Sequence, residues 1–152
     1  MQIKYLGGEK FEIKSKDVRI ELGYKIRVNN FEFPGPGEYE KSGVFIEGVV
    51  DDGNTIYLVR VDEINICYLG NISHELKEDT AKEIGNVDIL FAPLGEDGSL
   101  PTQKSLGIIS KIDPRIVIPM LYADLSEFKK SEGISDGEID VLKIKKADLP
   151  EN

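Results

Sequence analysis

The sequence predicts an α/β chain, close to α+β in arrangement, built as three layers: an antiparallel sheet with one face in water, a buried mixed sheet, and helices on one flank. Two patterns carry this reading. Through the first half, apolar and charged residues alternate with period two, as in strands with one buried and one wet face. Through the second half, nearly continuous apolar runs alternate with segments of helical period, and such strands are usually covered on both faces. An alternating sheet needs one apolar neighbour and a continuously apolar sheet needs two, so the economical stack is sheet, sheet, helices.

The alternating runs are Phe11 and Ile13; Val18, Ile20 and Leu22; Tyr24, Ile26 and Val28; and Phe31 and Phe33. Gly7-Gly8, Ser15-Lys16-Asp17, Gly23 and Asn29-Asn30 separate them as turns. Pro34-Gly35-Pro36-Gly37 reads as a stiff surface turn, and strand character resumes at Glu38-Tyr39-Glu40 and Val44 to Val50. Asp51-Asp52-Gly53-Asn54 is a second tight turn. The continuous runs are Thr55 to Val61, Ile64 to Leu69, Val87 to Leu94 and Arg115 to Pro119. Between them, Leu76, Thr80, Ala81 and Ile84 share a helical face ahead of a stop at Gly85. Leu106, Ile109 and Ile112 form a second stripe between Pro101 and Pro114. A short third helix around Ser126 to Lys130 stops near Gly133. Val141, Leu142 and Ile144 make a last strand, followed by a polar tail from Lys145 to Asn152. Residues 1–152 read as a single domain, strand-rich over 1–70 and alternating helix and strand over 71–146.

Composition narrows the function. With 40% hydrophobic and 31% charged residues, the chain has the makings of a core. A net charge of −9 repels phosphate backbones and anionic bilayers, so neither nucleic acid nor a membrane is the expected partner. One cysteine, Cys67, allows no intrachain disulfide, and no apolar run is long enough to span a bilayer. The start, Met1-Gln2-Ile3-Lys4-Tyr5, is not that of a signal peptide, and the expectation is a cytoplasmic protein. His74 is the only histidine, so a multi-histidine hydrolytic zinc site cannot be assembled from these residues.

A set of segments follows in order from Phe33: Pro36-Gly37-Glu38-Tyr39-Glu40, Ser42-Gly43-Val44, Ile46-Glu47-Gly48-Val49, Asn54-Thr55-Ile56-Tyr57-Leu58 and Ile66-Cys67-Tyr68-Leu69-Gly70-Asn71. They continue as Ile84-Gly85-Asn86-Val87-Asp88-Ile89-Leu90-Phe91-Ala92-Pro93-Leu94-Gly95, Asp113-Pro114-Arg115-Ile116-Val117-Ile118-Pro119-Met120 and Lys143 to Pro150. This series resembles the metallo-β-lactamase-fold hydrolases, in particular their compact zinc-dependent hydrolase-like branch. The resemblance implies a metallo-β-lactamase-like β-sandwich, here reduced to three layers. Its N-terminal antiparallel sheet would be exposed, and its C-terminal mixed sheet covered by helices on one face. The family's His-x-His-x-Asp-His motif is absent. The bridging aspartate matches Asn71, the late histidine matches Leu121, and Val50-Asp51-Asp52 stands where another histidine is common. Without imidazoles and a bridging carboxylate, no water is held on zinc with its pKa lowered toward ~7.

The resemblance therefore implies a degenerate, non-catalytic member acting as a binding or assembly module, with no cofactor and with a homodimer or another protein as partner. The alternative is a hydrolase with a rebuilt site, using carboxylates or His74. The catalytic candidates are Asn71 and His74, the latter as a base beside Ser73, although a solvated or capping residue near a helix N-terminus explains His74 more simply. Asp51, Asp52, Glu96 and Asp97, with Asn71 and Asp124, are oxygen donors suited to Mg²⁺ or Ca²⁺, although ordinary turn chemistry explains them as well. Cys67 reads as a buried apolar residue, and Glu38 and Glu40 as an outward strand face. Phe31, Phe33, Tyr39 and Phe45 suit an aromatic patch near the Pro34–Gly37 turn, read first as core packing and second as a partner surface.

Overall fold

A computed structural model describes residues 1–95, 100–122, 124–133 and 139–151. Its first sheet has the order β12-β1-β2-β3-β4-β5 and is antiparallel throughout. Its strands are β1 (Gln2–Gly7), β2 (Lys10–Ser15), β3 (Val18–Leu22), β4 (Arg27–Val28), β5 (Phe31–Glu32) and β12 (Val141–Lys143). The second sheet has the order β11-β10-β9-β8-β7-β6, parallel across β9, β10 and β11 and antiparallel from β9 to β6. Its strands are β6 (Gly37–Lys41), β7 (Val44–Asp51), β8 (Asn54–Val61), β9 (Ile64–Tyr68), β10 (Ile89–Pro93) and β11 (Ile116–Met120). Helices α1 (Glu78–Ile84), α2 (Thr102–Ile112) and α3 (Ser126–Glu132) pack on the far face of the second sheet. The expected order of layers holds.

Period-two patterning sorts the core. Ile3, Phe11, Ile13, Ile20, Ile46, Val59, Ile66 and Phe91 lie between the sheets. Cys67, Leu69, Leu90, Ala92, Ile108 and Phe128 pack between the second sheet and the helices. The outer face of the first sheet is charged and paired: Glu12 lies 2.7 Å from Arg19 and 3.4 Å from Lys14, and Glu32 lies 2.9 Å from both Lys25 and Arg27. These exposed pairs mark a face in water more than they add stability. Hairpin turns Asn29-Asn30 and Asp52-Gly53 have positive φ at both central residues, the turn whose twist matches antiparallel strands. Gly48 is fixed by close approach: a Cβ there would lie 2.9 Å from Pro36 Cα. The Pro34–Gly37 turn thus rests on the middle of β7, bringing together two of the segments that carry the family resemblance.

Four expectations need correction. Tyr24 is 86% exposed and lies in a bend, so only Arg27–Val28 of that alternating run is strand; β5 is likewise limited to Phe31–Glu32. Leu76 is buried but precedes α1. Strand β11 is the sheet edge and only half-buried, which is where Pro119, lacking an N–H, is tolerated. The last strand stops at Lys143, just before the buried Ile144, and the polar tail is anchored: Leu149 enters the inter-sheet core, and a 3₁₀ turn, Lys146–Asp148, sends Lys146 Nζ to Asp88 Oδ2 at 2.9 Å.

Candidate functional site

Strands β7, β9, β10 and β11 run in the same sense, so their C-terminal ends share one edge with the β7–β8 turn. Open edges of this kind are where ligands settle in α/β sheets. A cleft of about 540 Å³ opens there between the sheets, lined by Glu9, Tyr24, Lys25, Glu32, Phe33, Asn54, Tyr57, Tyr68 and Asn71. Lys25 and Glu32 neutralise each other at 2.9 Å. Two contacts close the cleft's floor with the β1–β2 turn: Tyr68 Oη donates to Glu9 O at 2.7 Å, and Leu121 N–H donates to Gly8 O at 3.1 Å. Burial pushes the Tyr68 hydroxyl well above its ordinary range, so it serves as a neutral donor.

Behind the cleft, on the helix side of β7, the structure brings Asp51 and His74 together. Asp51 is 2% exposed, and its Oδ1 accepts from Thr80 Oγ1 at 3.1 Å. Its Oδ2 has no hydrogen-bond partner among the described residues and lies 3.9 Å from His74 Nδ1. That separation is too long for a hydrogen bond. The imidazole is engaged elsewhere. Nδ1 meets the Glu75 carbonyl at 2.9 Å, which requires the proton on Nδ1, and Nε2 accepts from Asn54 Nδ2 at 3.0 Å. His74 therefore caps no helix, since α1 begins after Lys77 without a side-chain cap, and it offers Ser73 no free nitrogen. A buried carboxylate oxygen with no donor is costly. Asp51→Asn is expected to raise stability by about 1–2 kcal/mol, read as a higher thermal midpoint at neutral pH. A lower midpoint would mean that the charge is compensated.

The remaining candidates do not converge. Asp52 is exposed and paired with Lys77, whose hydrogen bond holds the Asp52 carboxyl below the usual carboxylate range. Asp124 accepts from Ser126 Oγ at 2.6 Å and Ser126 N–H at 2.8 Å, which lowers its pKa and makes it a turn residue at the start of α3. Glu96 and Asp97 lie outside the described residues. Asn71 is exposed at the cleft, and Cys67 is fully buried, with its thiol pushed up by burial. Leu121 has φ of 54° and puts its side chain into the inter-sheet core. A left-handed leucine is strained. The aromatic patch forms from Phe31, Phe33 and Tyr39, with ring centroids 5.2 and 5.1 Å apart. Phe45 is not part of it, because the β7–β8 register turns it to the opposite face of the sheet.

Zinc, which the family resemblance implies, does not suit these donors. Among the described residues, no three His, Cys, Asp or Glu side chains gather closely enough to hold a metal ion. The cleft offers two amides and two carboxylates, Glu9 and the already paired Glu32, and the one imidazole is outside its lining with both nitrogens occupied, Nε2 by the cleft's Asn54. The described residues contain no helix long and apolar enough to cross a membrane.

A family model described as the beta-lactamase superfamily domain matches residues 9–121. A UPF0173 protein of Pyrococcus furiosus is 33% identical over 116 residues, covering 73% of this chain and 47% of the relative. The chain thus spans about half the length of that curated relative. Among solved structures, one from Thermotoga maritima, assigned as a Zn-dependent hydrolase of the metallo-beta-lactamase superfamily, is similar with a TM-score of 0.80 at 21% identity, covering 95% of this chain and 92% of that one. Igni18, a metallo hydrolase of Ignicoccus hospitalis, gives a TM-score of 0.67 at 14% identity, covering 95% of this chain and 99% of that one. At these identities the structures attest the fold alone. The family model spans most of the chain, so this chain belongs to the metallo-β-lactamase superfamily.

Proposed function

We propose that this chain is a non-catalytic member of the superfamily, a scaffold whose cleft and surfaces bind rather than hydrolyse. The observation that supports it most is the donor set at the strand-end edge. Where the family resemblance expects a histidine, Leu121 fills the core, and where it expects a bridging aspartate, Asn71 supplies an amide. Neither can activate water through zinc. The net charge of −9 favours a protein partner over nucleic acid.

One observation favours a second reading, a hydrolase with a rebuilt site. Among the described residues, Asp51 Oδ2 is buried without a hydrogen-bond partner, beside the chain's only histidine. A dyad of orienting acid and base would use that geometry if the ring turned toward Asp51. The two readings separate in assays of bis(p-nitrophenyl) phosphate and p-nitrophenyl acetate hydrolysis with Zn²⁺, Mn²⁺ or Mg²⁺ added. The scaffold reading expects no rate above buffer. A rate abolished by both Asp51→Asn and His74→Ala would replace it with the second.

A further inference from the structure

We propose that the uncovered part of the second sheet is a docking groove for a cationic, amphipathic segment of a partner protein. Helix α1 covers part of β7, while α2 and α3 pack elsewhere on the sheet. The rest of β6 to β9 is left open on that face as a groove of about 410 Å³, with apolar walls from Leu58, Ile84 and Val87. Phe45 is 54% exposed at its mouth. An exposed phenyl ring beside an open apolar groove is a typical anchor point.

The charges around it select the occupant. Glu38 and Glu47 are direct cross-strand partners, a like-charge arrangement that costs stability. Burial, then Glu38 and Glu83, raise the Glu47 carboxyl above its ordinary range. Among the described residues, no Lys or Arg forms an ion pair with Glu38, Glu47 or Glu83; Arg60, the cross-strand partner of Phe45 in the lining, reaches none of them. The exposed face of the first sheet is the contrast: Glu12, Glu21 and Glu32 are all paired there. The first sheet pairs its exposed carboxylates, whereas Glu38 and Glu47 of the second sheet and Glu83 of α1 carry no ion pair among the described residues, a rim complementary to lysine or arginine beside apolar side chains. A second copy of this acidic chain would bring like charge to the rim. The groove's lining includes neither Asp51 nor His74 and shares no residue with the inter-sheet cleft, so the inference stands whether or not either site hydrolyses anything.

The test uses the whole chain and a capped helical peptide of leucine and lysine, with its leucine-glutamate counterpart as control. The lysine peptide is expected to shift backbone NMR signals at Phe45, Glu47, Leu58 and Val87. Phe45→Ala, and separately the double variant Glu38→Gln/Glu47→Gln, should each weaken it about tenfold. Without peptide, the double variant should melt about 2 °C higher, because repulsion has been removed. Shifts spread over other acidic patches, equal binding of the glutamate peptide, or unchanged affinity in both variants would overturn the proposal. So would a lower midpoint for the double variant, or concentration-dependent self-association through these same residues.

Discussion

Phe91→Ala is expected to destabilise the fold by about 3–5 kcal/mol, seen as a lower urea midpoint at unchanged m. Phe91 is fully buried in β10. It meets Phe11 of the first sheet edge-on at 4.6 Å and Tyr68 of β9 at 6.0 Å. One ring thus joins the two sheets directly beneath the cleft. Its removal opens a cavity that neither sheet can collapse into without breaking register. A loss below about 1.5 kcal/mol would show that the sheets repack, and that the inter-sheet core is looser than described here.

Asp88→Ala is expected to cost about 2–4 kcal/mol at neutral pH. Asp88 is buried immediately before β10 and accepts from Asn65 N–H at 2.8 Å and Lys146 Nζ at 2.9 Å, with Arg115 Nε at 3.5 Å. Burial alone would push its carboxyl up. The Asn65 N–H, the Lys146 ammonium and the Arg115 guanidinium outweigh burial and hold it below the usual carboxylate range. A pKa lowered by folding gives stability that is fully present above the unfolded value of about 4. That stability is lost as pH falls through the lower folded value. The gap between wild type and Asp88→Ala, measured by denaturant titration, should therefore narrow below about pH 4. A gap that stays constant through acid would contradict the ionic origin of the effect.

Much of the fold is legible residue by residue. Alternation from Phe11 to Leu22 gives β2 and β3, and Asn29-Asn30 and Asp52-Gly53 give hairpin turns because their positive φ suits those residues. Helix α2 lies between Pro101 and Pro114, as the spacing implies. Long-range choices were hidden. Strand β12 joins β1 across the whole length of the chain, and the Lys146–Asp88 pair spans 58 residues; no local pattern encodes either. Tyr24 fits the alternation, yet Gly23 turns the chain there and leaves the ring in water. At the candidate site, the sequence supplies Asp51 and His74 as separate candidates. Their juxtaposition depends on the β7–β8 turn meeting the loop after β9, a tertiary fact. Phe45 shows the same limit, since only its register opposite Arg60 decides which face it takes.

The scaffold reading is tested most directly by native mass spectrometry of the whole chain equilibrated with excess Zn²⁺ and then desalted. The donor set described here predicts a mass corresponding to metal-free protein, in the wild type and in His74→Ala alike. A retained stoichiometric zinc ion, lost on replacing His74 or Asp51, would contradict the account.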